Sequence, residues 1–226
     1  LFVDTPYKQI PIDVVYHGVD TDYFAPSLDA TQRAQVRQQL VGPEHENLIL
    51  LGSTGGTDIE KGWLEMVEAV AILPPALRQQ CRIIMAGDPP EIHKIQRVYE
   101  LGMQNVVIFP GLLDDVRPML QACDLGFVLS HREALSYACR ESMALGLPTI
   151  VTQVGGLPEN IQDQVNGWIV PVKDPASLSQ LLQKILPDLP TRAKIGQAAR
   201  KTAEIQFNLA LFAQNTLLCY DEVLRK

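Results

Sequence analysis

Glu133 and Glu141 bracket seven residues within the stretch SHREALSYACRESMALGLPTIVTQVGGLPENI, residues 130–161. Glu133 falls in a loop leaving an expected strand at 125–129, and Glu141 inside a helix expected over 136–145. An acid at the carboxyl end of a parallel strand faces the crevice where open α/β sheets bind ligands. An ionised carboxylate accepts bidentate hydrogen bonds, so two acids there suit a ligand rich in vicinal hydroxyls, a sugar and a ribose.

A second signal lies upstream, in the loop GSTGGTDIEKG at 52–62. The small residues Gly52, Ser53, Gly55 and Gly56 let backbone amides approach an anion, and Lys61 supplies a point charge suited to a diphosphate. A helix expected just after Lys61 brings its positive end close. The spacing is neither that of a Walker loop nor that of a G-x-G-x-x-G dinucleotide fingerprint, which disfavours an oxidoreductase. On residues alone, an ordinary strand–helix turn with an exposed lysine serves equally well.

The elements that must position these groups alternate. Short, β-branched, apolar strands are expected at 12–16, 48–52, 82–86, 106–109, 125–129, 149–152 and 167–170. Helices are expected between them at 30–40, 62–73, 91–101, 116–121, 136–145 and 176–186, followed by two helices without a strand at 191–206 and 209–225. This alternation implies an α/β fold, a doubly wound parallel sheet with helices on both faces. Gly155-Gly156-Leu157-Pro158-Glu159 reads as a mostly structural turn into a short helix.

Among the 226 residues, 46% are hydrophobic, ample for a sizeable core. Lys and Arg number 19 against 26 Asp and Glu, a formal charge of −7, which argues against nucleic acid and against a polybasic membrane surface. No apolar run approaches the roughly 20 residues needed to span a bilayer. The opening Leu1-Phe2-Val3-Asp4 carries neither an initiating Met nor a secretory signal, so the chain is expected to be part of something longer. Cys81, Cys123, Cys139 and Cys219 form no C-x-x-C pair and read as buried free thiols of a reducing cytosol. His93, His131 and Arg132 are lone candidates with no metal-ligand spacing around them.

The run E-A-L-S-x3-R-E-S-M-A-x-G-L-P-T-I-V-T-x-V-G-G-L-P-E resembles the signature of retaining family-4 glycosyltransferases of GT-B fold. His17-Gly18-Val19-Asp20, Lys61-Gly62, Ala86-Gly87-Asp88, Phe109-Pro110-Gly111, Ala122-Cys123-Asp124 and Asn166-Gly167-Trp168 are similar to further short motifs of that family, in order. The resemblance implies a Rossmann-like, nucleotide-sugar-binding carboxy-terminal half, whose acceptor site lies in an amino-terminal half absent here. It divides the chain into an entry segment 1–27, a donor-binding domain 28–206 and a closing helix 207–226.

Several roles follow from the resemblance alone. Lys61 and Glu133 are the implied catalytic residues. Gly52, Ser53, Gly55 and Gly56 would lie along the donor, Ala134, Leu135 and Ser136 would offer amides to the sugar or β-phosphate, Glu141 would take the ribose hydroxyls, and Phe109, Pro110 and Gly111 would clamp the base. Neither cofactor nor metal is implied; the donor substrate is a nucleotide-diphosphate sugar, uridine diphosphate by the family's default. The acceptor would be a sugar or lipid-linked hydroxyl in polysaccharide, lipopolysaccharide or other glycoconjugate synthesis. The location implied is cytoplasmic, with any membrane contact made through the absent half. The chain departs from the family in two places. Ser53 stands where many members carry Arg, and E-A-L-S replaces the common E-G-F-G. A nucleotide-sugar epimerase of similar architecture and a non-catalytic binding module remain alternatives.

Overall fold

The computed structural model describes residues 13–43, 46 and 48–225. In chain order the elements are α1 (Ala30–Val41), β1 (Ile49–Ser53), α2 (Trp63–Ile72), α3 (Pro75–Gln80), β2 (Cys81–Ala86), α4 (Ile92–Glu100), β3 (Val107–Gly111), α5 (Arg117–Ala122), β4 (Leu125–Val128), α6 (Tyr137–Ala144), β5 (Thr149–Thr152), α7 (Leu157–Asn160), β6 (Trp168–Val170), α8 (Pro175–Ile185), α9 (Leu189–Gln206) and α10 (Leu209–Leu224). A 3-10 turn at Ile59–Lys61 precedes α2.

The strands form one parallel sheet in the order β3-β2-β1-β4-β5-β6. From β1 the chain builds outward to β3, then returns to lay β4 against the other side of β1. The carboxyl ends of β1 and β4 therefore adjoin at the point where the strand order reverses, the place where open α/β sheets bind ligands.

Both faces of the sheet are covered, which explains why its strands read as unbroken apolar runs. Leu51, Ile83 and Met85 join Trp63, Met66 and Val67 of α2 and Leu178, Leu182 and Ile185 of α8 in one cluster. Their alternates Leu50 and Ile84 face Leu120 and Cys123 on the other side, where a neighbouring cluster joins Cys139 and Met143 of α6 to Ala199 and Ala203 of α9. Each fully buried Leu, Ile, Val or Met among them contributes roughly 1.5–3 kcal/mol by leaving water.

Three expectations need correction. Of the strand expected at 12–16, Ile12 lies outside the described residues, and 13–16 form no strand. Val14 and Tyr16 are exposed there, and the chain pairs only later, where Val19 bridges Asn208 and its amide donates to Phe207 O at 2.7 Å. Helix α3 was unforeseen, because Pro74-Pro75 reads as a break although Pro75 suits a first helical turn. The strand expected at 106–109 runs on through Pro110 and Gly111, so Phe109, Pro110 and Gly111 all lie in β3. Among the described residues, no helix is long and apolar enough to cross a membrane.

Candidate functional site

The loop after β1 is tied down at Thr57. Its carbonyl accepts from Trp63 Nε1 and from the buried Lys94 Nζ, both at 2.9 Å, and its hydroxyl donates to Asp88 O at 2.7 Å. Asp58 then caps the 3-10 turn, accepting from Glu60 N at 2.8 Å. Gly62, at φ +64°, takes the chain from that turn into α2. Lys61 is thereby placed on the sheet's carboxyl edge.

The loop after β4 is held from three directions. His131 N donates to Glu60 O at 2.7 Å, joining it to the 3-10 turn. Ser130 O accepts from Thr152 Oγ1 at 2.6 Å. Gly155 and Gly156 press on it so closely that a Cβ on Gly155 would stand 1.7 Å from Glu133 O and one on Gly156 2.4 Å from Ala134 O. Gly156 N donates to Ala134 O at 2.6 Å. The Gly-Gly turn is structural, as its sequence suggests, and its task is to set the Glu133 loop.

Lys61 and Glu133 come together. Lys61 Nζ lies 3.4 Å from Glu133 Oε2, and the carboxylate also accepts from Ser130 Oγ and from Ala134 N, each at 3.2 Å. The pair borders a cavity of 210 Å³ lined by Ser53 at the end of β1, Thr54 and Gly55 just after it, Val128 and Ser130 at and beyond the end of β4, and Ser136, Tyr137 and Ala138 opening α6. The first amides of a helix have no intrahelical acceptor, so Tyr137 and Ala138 bring free donors and the positive helix end to this wall. Ser136 is the α6 N-cap; its hydroxyl accepts from Cys139 N at 3.3 Å, and its backbone stands at φ 64°, ψ 105°, rare for a residue with a side chain.

Other expected site residues lie outside this cavity. Gly52 packs against Cys123, and Gly56 against Gly87. Ala134 spends its amide on its neighbour's carboxylate. Leu135 turns toward Gly156 and gives its carbonyl to Asn160 Nδ2. Phe109, Pro110 and Gly111 sit on β3, at the far edge of the sheet beyond β2, where Gly111 O accepts from Gly87 N at 3.0 Å and the Phe109 ring meets Trp63 edge-on at 5.5 Å. Glu141 lies one turn along α6 from Tyr137, partly buried, and that burial raises its carboxyl above the ordinary range. Ser53, the family's Arg position, does line the cavity, though it is buried, with its hydroxyl accepting from Gly55 N at 3.3 Å. Lys61 is the cation of the cavity wall.

Thr54, Val128, Ser130, Tyr137 and Ala138 are wall residues that sequence reasoning missed. Tyr137 alone carried a signal: an aromatic beside Ser136, inside the Glu133–Glu141 window. Its ring stacks on His17 at 3.9 Å and 24°. His131 instead pairs with Glu65 at 2.6 Å and lines a separate hollow with Ile59 and Trp63. A larger hollow of 490 Å³ lies at the opposite sheet edge; its Arg33 and Arg37 cap the carbonyls closing α5 and pair with Asp124, a structural role. Among the described residues, no group of three or more His, Cys, Asp or Glu is placed to hold a metal ion.

The sequence pattern of the family described as "Glycosyl transferases group 1" matches residues 32–202. The D-inositol 3-phosphate glycosyltransferase of Salinispora arenicola is 32% identical over 205 residues, 85% of this chain and 45% of that protein. Anabaena HepE, solved with UDP, with UDP and glucose and with UDP-glucose, shares the fold at a TM-score of 0.83 and 24% identity, over 93% of this chain and 57% of that one. The carboxy-terminal domain of a Francisella tularensis group 1 glycosyl transferase gives a TM-score of 0.71 at 24% identity, covering 85% of this chain and 100% of that one. The chain spans about half the length of the curated relatives it matches. With its six-stranded parallel sheet flanked by helices, it has the Rossmann-like α/β fold of GT-B glycosyltransferases and belongs to the group 1 glycosyl transferase family.

Proposed function

We propose that this chain binds the donor, a nucleotide-diphosphate sugar, for a glycosyltransferase that moves the sugar to an acceptor hydroxyl with retention at the anomeric carbon. The observation that carries the reading is the Lys61–Glu133 pair at 3.4 Å, bordering a small cavity at the strand-order reversal. A cavity of 210 Å³ suits a diphosphate or one hexose. The nucleoside would extend past it, with Glu141 and the end of β3 as the proposed ribose and base contacts.

Lys61 and the α6 amides would stabilise charge developing on the diphosphate as its bond to the anomeric carbon breaks. Glu133, already accepting three hydrogen bonds, suits a group that orients sugar hydroxyls better than one that displaces the leaving group. Attack from the face the diphosphate leaves retains configuration: the acceptor oxygen bonds the anomeric carbon and passes its proton to a departing phosphate oxygen. Uridine is the proposed base, by the family default and by the UDP held in the Anabaena protein of the same fold. An epimerase is disfavoured because His131 turns to Glu65, outside the cavity.

The test is calorimetry of UDP, GDP and ADP, with and without a sugar attached, against this chain. One base is expected to bind, and Lys61→Ala is expected to weaken it. Absence of binding by all three would end the proposal. Transfer itself is to be measured on the full-length protein, with configuration at the product's anomeric carbon read by NMR coupling.

A further inference from the structure

We propose that Arg140 and Asn160 form a positioning pair that sets the 133–136 loop and the opening of α6, and thereby the donor cavity. The consequence for binding rests on the donor-site reading above; the positioning itself does not.

Arg140 is fully buried in the middle of α6, with 0% of its surface exposed. Its Nε donates to Asn160 Oδ1 at 2.9 Å, its Nη1 donates to His17 O, and its guanidinium lies 4.0 Å over the Phe207 ring. Among the described residues, Nη2 has no hydrogen-bond partner and no carboxylate hydrogen-bonds the group. A buried cation with no hydrogen-bonded carboxylate is costly; the charge of Glu159 and the rings of Phe207 and Tyr16 offset part of that cost, and an apolar side chain would pack there without needing them. Its value is in what it orients.

Asn160, which closes α7, is itself buried, at 2% exposure. With its carbonyl oxygen fixed by Arg140, its amide nitrogen faces the loop and donates to Leu135 O. Gly156 N already holds Ala134 O. Two successive carbonyls of the Glu133 loop are thus anchored, and the next residue is Ser136, whose positive φ turns the chain into α6. The same guanidinium grips the backbone of His17, whose ring supports Tyr137 on the cavity wall. Neither residue touches the cavity.

Asn160→Asp isolates the effect. It keeps an acceptor oxygen for Arg140, gives the guanidinium a counter-charge, and replaces the donor toward Leu135 O by another oxygen. The melting temperature is expected to stay or rise. Amide hydrogen exchange across 133–138 is expected to speed up about tenfold, the loss of one buried hydrogen bond, with the rest of the chain unchanged. Nucleoside diphosphate affinity should fall by a similar factor. Arg140→Lys, which keeps charge but not the forked donors, should loosen the same segment to a lesser degree. Unchanged exchange at 133–138 in both variants would overturn the positioning role, as would faster exchange spread evenly over the chain. A looser loop with wild-type affinity would overturn its link to the donor site. If the loop loosens but neither wild type nor any variant binds a nucleoside diphosphate, the donor-site reading fails and the positioning pair stands. Lys61→Ala serves as the binding control.

Discussion

The carbonyl oxygen of Leu129 stands 1.9 Å from the place a Cβ on Gly62 would occupy. The turn after β1 and the end of β4 touch backbone to backbone at that point, which lets Lys61 reach Glu133. Gly62→Ala adds a collision to left-handed strain, and is expected to cost more than about 2 kcal/mol of stability in urea unfolding. Gly102→Ala, at φ +67° with nothing within 4 Å, carries the strain alone and should cost about 1 kcal/mol. Equal losses in the two variants would refute the collision.

The Lys61–Glu133 pair predicts opposite responses from its two members. Lys61→Ala should weaken nucleoside diphosphate binding by about ten- to a hundredfold, a charged hydrogen bond worth roughly 1.5–3 kcal/mol, while changing stability by less than about 1 kcal/mol. Glu133→Gln removes a negative charge beside the diphosphate but also exchanges one of the two acceptor oxygens for sugar hydroxyls for a donor. It should tighten the bare diphosphate and loosen the diphosphate sugar. Calorimetry on both ligands decides; parallel weakening would assign Glu133 to the phosphates.

Ser136 holds φ 64°, ψ 105°, where glycine is at ease. Ser136→Gly should relieve about 1 kcal/mol of backbone strain and lose only a few tenths as an N-cap. The urea midpoint is expected to rise with the m-value unchanged. A lower midpoint would mean that the Ser136 hydroxyl matters more than the dihedral.

Glu141 gives a pH dependence whose sign follows from its raised carboxyl. Burial disfavours its charge, so the native chain holds this proton at a pH where the unfolded chain has released it. Its contribution to stability therefore falls as pH rises through the window from the ordinary value of 4.5 up to the raised native one. Ribose hydroxyls donating to the carboxylate favour the charged form, so binding should release a proton in that window and affinity should fall on acidification. Glu141→Gln removes this component, and the difference between the two affinity profiles cancels titration of the nucleotide itself. Coincident profiles would remove Glu141 from the ribose.

Burial pushes the thiols of Cys81, Cys123 and Cys139 up to about 12, whereas Cys219 is half-exposed. Since thiolate is the reactive form, an aromatic disulfide reagent at neutral pH should titrate one thiol in the native chain and four after denaturation.

The strands were legible because the sheet is covered on both faces, so runs such as Leu48-Ile49-Leu50-Leu51 and Thr149-Ile150-Val151-Thr152 are apolar or β-branched throughout. Lys61 and Glu133 were legible because each lies in a segment that joins the carboxyl end of a strand to the next helix. The supports were not. Arg140 reads as a surface helix residue until the fold sets Asn160 beside it, and nothing local to Leu135 says which donor takes its carbonyl. Helix α3 escaped because Pro74-Pro75 reads as a break and its six residues, PALRQQ, offer only Leu77 to the core. The base contacts expected at 109–111 rest on a strand two places removed from the charge pair, a separation that depends on strand order and not on local pattern.

That strand order divides the molecule by authorship. One charge of the pair comes from the section that builds β1 to β3, the other from the section that builds β4 to β6. A chain severed in the connection at 112–116 would hand each piece half of the grip on a ligand. A bound diphosphate would then act as mortar between them, and reassembly of the two pieces would become a ligand-driven event that can be titrated.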